Sequence, residues 1–257
     1  MAELVTKWFE TTDSTNVRIA CDKQALPDGS VYAALFQTAG RGQRGNRWEG
    51  RKGENIMLSI LFKPEGIKMQ DQFIISEIAA IGTVRYLNSR GLSAKVKWPN
   101  DIYVGDRKIC GILIENSVAD AKLSASIVGI GLNLNQEVFA SDAPNPTSLT
   151  LQTGVRYDLR VETDALLEEV FGLYRKVMAD PVEAGRELGE TYLDMMYRRG
   201  EWHDFERLPS SDIPTEKRSG EKFRGRILGI SKTACLLVEL TDGSIDQFAF
   251  KEIKYVI

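Results

Sequence analysis

Residues 37–48 read Gln-Thr-Ala-Gly-Arg-Gly-Gln-Arg-Gly-Asn-Arg-Trp. Gly40, Gly42 and Gly45 let a backbone approach a ligand closely, and Arg41, Arg44 and Arg47 carry planar cationic forks that match phosphate or carboxylate oxygens. The stretch is therefore an anion clamp in chemical terms. It also satisfies the dinucleotide pattern G-x-G-x-x-G, but that turn must open directly into an apolar-periodic helix, and residues 46–53 are polar and glycine-rich instead. The acidic residue expected about 20 positions later is absent, since residues 59–62 fill that place. An RNA-binding arginine-glycine segment is the other reading, and the chain's charge argues against it: Lys+Arg 33 against Asp+Glu 36 leaves a net charge of -3.

Other positions combine chemistry with a defined backbone setting. Thr11, Thr12, Asp13, Ser14, Thr15 and Asn16 precede a short apolar-periodic segment. They read either as helix caps or as hydroxyls and an amide offered to a polar, uncharged ligand group. Lys97 ends an alternating segment just before Pro99, so it sits at a stiff strand end and can be aimed; a solvated edge lysine is the plainer reading. Asn100 and Asp101 read as turn formers, although Asp101 has the chemistry to reach a magnesium ion. Gly111, Gly129 and Gly131 interrupt apolar strands, as expected where a ligand or another backbone lies close, and Asn133 could follow as a reader of a base edge. Cys21, Cys110 and Cys235 are far apart in sequence, which predicts a reducing cytoplasm and no structural zinc; His203 is the only histidine and reads as structural or exposed.

The elements that must hold these residues follow from the pattern. Strands are expected at residues 31–37, 55–62, 95–97, 102–104, 107–115 and 124–134, with helices through 17–20, over 73–91, over 166–178 and over roughly 182–196. Pro144 and Pro146 mark an irregular loop. From about residue 200 the chain changes to short strand-like pieces at 202–207, 223–230, 235–240 and 245–250, with a polar loop over 209–220, which predicts a small antiparallel barrel. Residues 1–10 lack the pattern of a signal peptide, and no apolar run is of membrane-spanning length.

Taken in order, Ser14-Thr15-Asn16, Gln37 with residues 40–48, Lys97-Trp98-Pro99-Asn100-Asp101, residues 111–115 and residues 129–133 resemble the motifs of the biotin protein ligases. The resemblance implies an α+β fold: a mixed or antiparallel sheet with flanking helices, like the class II aminoacyl-tRNA synthetases, over residues 1–199, and a small SH3-like β-barrel over 200–257. It implies a cytoplasmic enzyme that joins biotin to ATP with Mg2+, then passes biotin to a lysine of a biotin carboxyl carrier domain. Biotin contacts would fall to Ser14, Thr15, Asn16, Gln37, Gly40, Arg41, Gly42, Gln43, Lys97, Gly111, Gly129 and Gly131. ATP contacts would fall to Arg41, Arg44, Arg47, Trp48, Lys97 and Asn133, with Lys97, Arg41 and Arg44 catalytic and no protein-held metal. Where many relatives carry arginine this chain has Gln43, so Arg44 is expected to take over retention of the adenylate. The Ser14 motif starts almost at once, which predicts the type without a DNA-binding domain and no DNA partner. No membrane partner is expected, and a homodimer is open. A lipoate ligase or octanoyl transferase of the same fold, or a non-catalytic RNA-binding adaptor, are the alternatives.

Overall fold

The computed structural model describes residues 6–140, 145–208, 220–250 and 252–257. Pro144 of the expected loop and nearly all of the loop over 209–220 lie outside the described residues, as do residues 1–5 and the side chain of Arg44. The chain forms two compact units, Met1–Tyr192 and Leu193–Ile257.

The first unit is built on a seven-stranded sheet of β1 (Thr6–Phe9), β2 (Ser30–Ala34), β3 (Ile56–Phe62), β4 (Ala94–Lys97), β5 (Asp101–Val104), β6 (Arg107–Ala119) and β7 (Lys122–Leu132). Their order is β1-β2-β3-β7-β6-β5-β4. Only β1 and β2 run parallel; every other neighbouring pair is antiparallel. Directly paired residues share a face, so the register sorts the side chains. Leu58, Ile130 and Ile112 form one row and Val96, Ile102 and Cys110 another, all at most 2% exposed. α2 (Phe73–Ser89) packs on β4, β5 and β6 and against α4 (Leu159–Ala179). Burial pushes the Cys110 thiol up, so this cysteine is a small apolar filler rather than a nucleophile.

On the opposite face, α1 (Thr15–Asp22) drops Ile19 onto Tyr32, Leu61 and Ile127, which fixes the start of that helix over β3 and β7. The helix α4 begins two turns earlier than the apolar period suggests. Asp158 caps it by accepting from Arg160 N and Val161 N. A short helix, α3 (Leu149–Thr153), precedes it, and α5 (Pro181–Asp194) starts on a proline, whose missing N–H costs nothing there.

The second unit is a five-stranded antiparallel sheet of β8 (Trp202–Arg207), β9 (Lys222–Ile230), β10 (Leu236–Leu240), β11 (Ile245–Phe248) and β12 (Ile253–Tyr255), in the order β11-β10-β9-β8-β12. Phe205, Ile227, Leu236, Val238 and Phe248 fill its interior. His203 lies in β8, with Nε2 3.0 Å from Glu201.

Candidate functional site

One row of paired residues crosses five strands of the large sheet: Met57, Gly131, Gly111, Asp101 and Lys97. The adjacent row on the same face is Tyr32, Ser59, Gly129 and Leu113. Three glycines thus fall side by side on β6 and β7 and leave a strip of bare backbone. Each has a tenant. A Cβ at Gly129 would overlap the Asn16 amide oxygen, and Cβ atoms at Gly131 and Gly111 would stand 2.7 Å from Trp48 Nε1 and 2.9 Å from Trp48 Cζ3. The expected open glycine floor is therefore covered in this structure by Asn16 at one end and by the Trp48 indole at the other.

The Asn16 end is a closed polar cluster. Ser14, Thr15, Asn16 and Ser59 are all at most 4% exposed. Ser59 Oγ lies 2.5 Å from Asn16 Oδ1 and 2.7 Å from Thr15 Oγ1, and Gln37 Oε1 accepts from Thr15 N at 2.7 Å. Ser14 makes no side-chain cap bond to its helix. Instead Asp13 accepts from Ser14 N at 2.7 Å, a bond that holds the Asp13 carboxyl below the usual carboxylate range. The Thr15 hydroxyl at this helix start meets Ser59 of the sheet. Ser59 was not singled out from sequence, yet it left a signal: a single hydroxyl in the apolar strand Ile56–Phe62 must find a partner when buried.

The Trp48 end is cationic. Residues 40–48 close into a small hairpin: Trp48 N donates to Gly40 O at 3.0 Å, Gly42 N to Asn46 O at 2.7 Å, and a 3-10 turn, Gln43–Gly45, forms the tip. Gly45 takes φ +85°, a conformation that favours glycine. Arg41 and Arg47 are exposed at its surface; Arg41 Nη1 lies 3.3 Å from Glu115 Oε1. Trp48 Nε1 and Gln43 Oε1 are buried with no hydrogen-bond partner. Such orphaned groups are costly, which marks this end as poised for a polar ligand.

Lys97 lies on the glycine face, as its register requires, but its ammonium donates to the Tyr103 hydroxyl at 3.0 Å and sits 4.6 Å from that ring's centroid. The lysine facing Trp48 is Lys108. Its Nζ is 2.6 Å from Asp101 Oδ1 and 5.9 Å from the indole centroid, and its Cε is 3.5 Å from the position of a Gly111 Cβ. Strict alternation from Gly111 would have sent Lys108 to the other face. The register slips by one between Ile102 and Tyr103, so Lys108 pairs with Tyr103 and comes round to the glycines. The peptide bond before Pro99 is cis, and Asn100 bonds through its side-chain amide to the Ile112 carbonyl. Asn133 is 5% exposed and gives its side-chain N–H to Thr147 O at 2.9 Å, so that donor is already committed inside the fold.

The comparisons with known proteins bear on this arrangement. The sequence model of the biotin/lipoate A/B protein ligase family matches residues 8–133, which hold both ends of the site. Biotin–protein ligase 2 of Arabidopsis thaliana is 30% identical over 238 residues, 90% of this chain and 68% of that protein. The chain belongs to the biotin protein ligase family. The family includes the bifunctional ligase/repressor BirA of Bacillus spizizenii, 28% identical over 84% of this chain and 63% of that protein, and that of Escherichia coli, 32% identical over 62% and 50%. This chain thus spans between half and two-thirds of the length of those relatives. In fold the family member from Aquifex aeolicus in complex with biotin and ATP superposes with a TM-score of 0.74 at 22% identity, covering 98% of this chain and 99% of that one. Among the described residues no helix is long and apolar enough to cross a membrane.

Proposed function

We propose that this chain is a biotin protein ligase: it joins biotin to ATP as biotinyl-5'-AMP with release of pyrophosphate, then transfers biotin to a lysine of a biotin carboxyl carrier domain. The observation that carries the reading is one sheet face with a buried, uncharged polar cradle at one end and a lysine-arginine end at the other, joined by bare glycine backbone. A ligand with a neutral polar head and an anionic tail fits that polarity. Relatives named for the activity support it, as does the Aquifex aeolicus protein in complex with biotin and ATP.

The chemistry explains the residue types. A carboxylate must attack the α-phosphate of an anionic nucleotide, and two unit charges 4 Å apart repel by about 4 kcal/mol at an effective dielectric of 20. Thr15, Asn16 and Gln37 would hold the head; Gly111 and Gly131 would let the ring system lie on backbone once Trp48 lifts, while Gly129 makes room for the Asn16 amide. Lys108, steadied by Asp101, would bring its ammonium to the carboxylate and the α-phosphate, with Lys97 contributing positive potential from β4, two strands away. Arg41, Arg44 and Arg47 would close on the phosphates, and Trp48 on the nucleotide. Transfer needs no covalent enzyme intermediate, since the carrier's amine attacks the acyl carbon and AMP leaves. The donor set builds no metal cage: among the described residues no three His, Cys, Asp or Glu side chains cluster, and Asp101 already holds Lys108. Magnesium would accompany the ATP substrate. The catalytic work is assigned to residues 1–199, with 200–257 accessory.

ATP-pyrophosphate exchange, run with biotin, with lipoate and with neither, tests the reading. Exchange that depends on biotin is expected; exchange with lipoate alone, or none at all, overturns it.

A further inference from the structure

The side chain of Glu115, on β6, links the two ends of the site. Its Oε1 lies 3.3 Å from Arg41 Nη1 of the glycine-arginine hairpin, and its Oε2 accepts from Asn16 Nδ2 at 2.8 Å. An ionised carboxylate only accepts hydrogen bonds, so Glu115 dictates that Asn16 turns its N–H toward β6 and its oxygen toward Ser59. The constraint then propagates. Ser59 Oγ, 2.5 Å from that amide oxygen, must spend its single proton there. The Ser59 oxygen is left as an acceptor 2.7 Å from Thr15 Oγ1, while Gln37 Oε1 accepts from Thr15 N and lies 3.2 Å from Thr15 Oγ1. The Thr15 proton is thereby drawn to Ser59 or Gln37, and the lone pairs of Thr15 Oγ1 are what remains for a ligand. One charged acceptor at the surface thus fixes the donor and acceptor sense of a cradle that contains no charge of its own.

We propose that Glu115 is a positioning and specificity-determining residue: it sets the hydrogen-bond polarity of the head cradle and ties the Arg41 hairpin to that cradle. The proposal rests on the ligase reading above. Glu115→Gln keeps the shape and removes the constraint, because a glutamine amide can donate, which lets Asn16 flip and frees Arg41 from a charged partner. Glu115 is half-exposed, with 37% of its side chain accessible, so the variant should melt within a few degrees of the parent.

The deciding experiment is ATP-pyrophosphate exchange by parent and Glu115→Gln over a matrix of biotin and ATP concentrations, with thermal melting of both. The expected result is a KM for biotin raised about tenfold or more, the scale of a hydrogen bond to a charged group, with a smaller change in the KM for ATP through the freed Arg41. Equal biotin KM values, or a fall in kcat alone, would overturn the role of Glu115 while leaving the ligase reading intact. A parent without biotin-dependent exchange removes the ligase reading, and this proposal with it. Should Glu115→Gln melt far below the parent, Glu115→Asp is measured in its place: it stays acceptor-only but is too short to reach both partners, and it too must raise the biotin KM or the proposal fails.

Discussion

At Gly129 the sheet face is covered by Asn16, an amide whose hydrogen bonds run into Ser59 and Glu115; at Gly131, two residues on, it is covered by Trp48, whose indole N–H is buried without a partner. The first tenant is anchored by a helix start and a network complete before any ligand arrives. The second hangs from a hairpin whose Arg41 and Arg47 reach solvent. On the proposed reading, recognition of a neutral head is preorganised, while the cationic end is left adjustable for the step in which charge changes hands. Buried polar groups are costly to rearrange, whereas surface arginines are not, so the division follows from physics as well as from chemistry.

The sharpest way to break this contrast lies with the two lysines. Lys108→Ala should lower biotin-dependent exchange by about 10²- to 10³-fold, the scale of losing one preorganised charge contact. Lys97→Ala should cost no more than about tenfold, because its ammonium is turned toward Tyr103. Measured kcat/KM values in the reverse order would return the central role to Lys97, as the sequence motif suggests.

The two glycines come next. Gly129→Ala drives a methyl into the Asn16 amide, which has nowhere to go, and a displacement of about 1 Å in a positioning group can cost on the order of 10²-fold. Gly131→Ala meets only Trp48, which can move with its hairpin, so a loss nearer tenfold in the KM for biotin is expected. Equal losses would mean that Trp48 is as firmly seated as Asn16.

The last effect is on stability rather than activity and lies at Glu77 on α2, away from the contrast altogether. Burial pushes its carboxyl up to about 7 from an ordinary 4.5, so the folded state favours the neutral acid. That stabilisation is complete below pH 4.5 and is lost as pH rises through 7. The free energy of unfolding should therefore fall by about 3 kcal/mol across that interval, and Glu77→Gln should remove that part of the slope; an unchanged slope in denaturant titrations would place the buried charge elsewhere.

Much of this was legible in the sequence, for reasons that differ by residue. Period-2 and period-3.6 patterns placed β3, β7 and α2 within a residue or two, because these elements are buried on at least one face. The stretch over residues 40–48 stood out because it packs three glycines and three arginines into nine residues. β1 and β12, of four and three residues, are too short to show a period, and the early start of α4 was written in Asp158 rather than in its apolar residues. The site's wiring was largely hidden. Glu115 stood in a recognised motif without a role, because nothing in a linear pattern says that a β6 carboxylate meets residues 16 and 41. Lys108 was not singled out, and alternation counted from Gly111 would have put it on the other face.

That last slip has a consequence of its own. An even ladder would have set Ile109 opposite Tyr103 and delivered a positive charge to the dry side of the sheet, beneath α2. The extra residue acts as a frame-shift in space. Lengthening the hairpin tip at Gly105 and Asp106 should leave the ammonium on the glycine face, whereas adding or removing one residue between Lys108 and Gly111 changes which way it emerges.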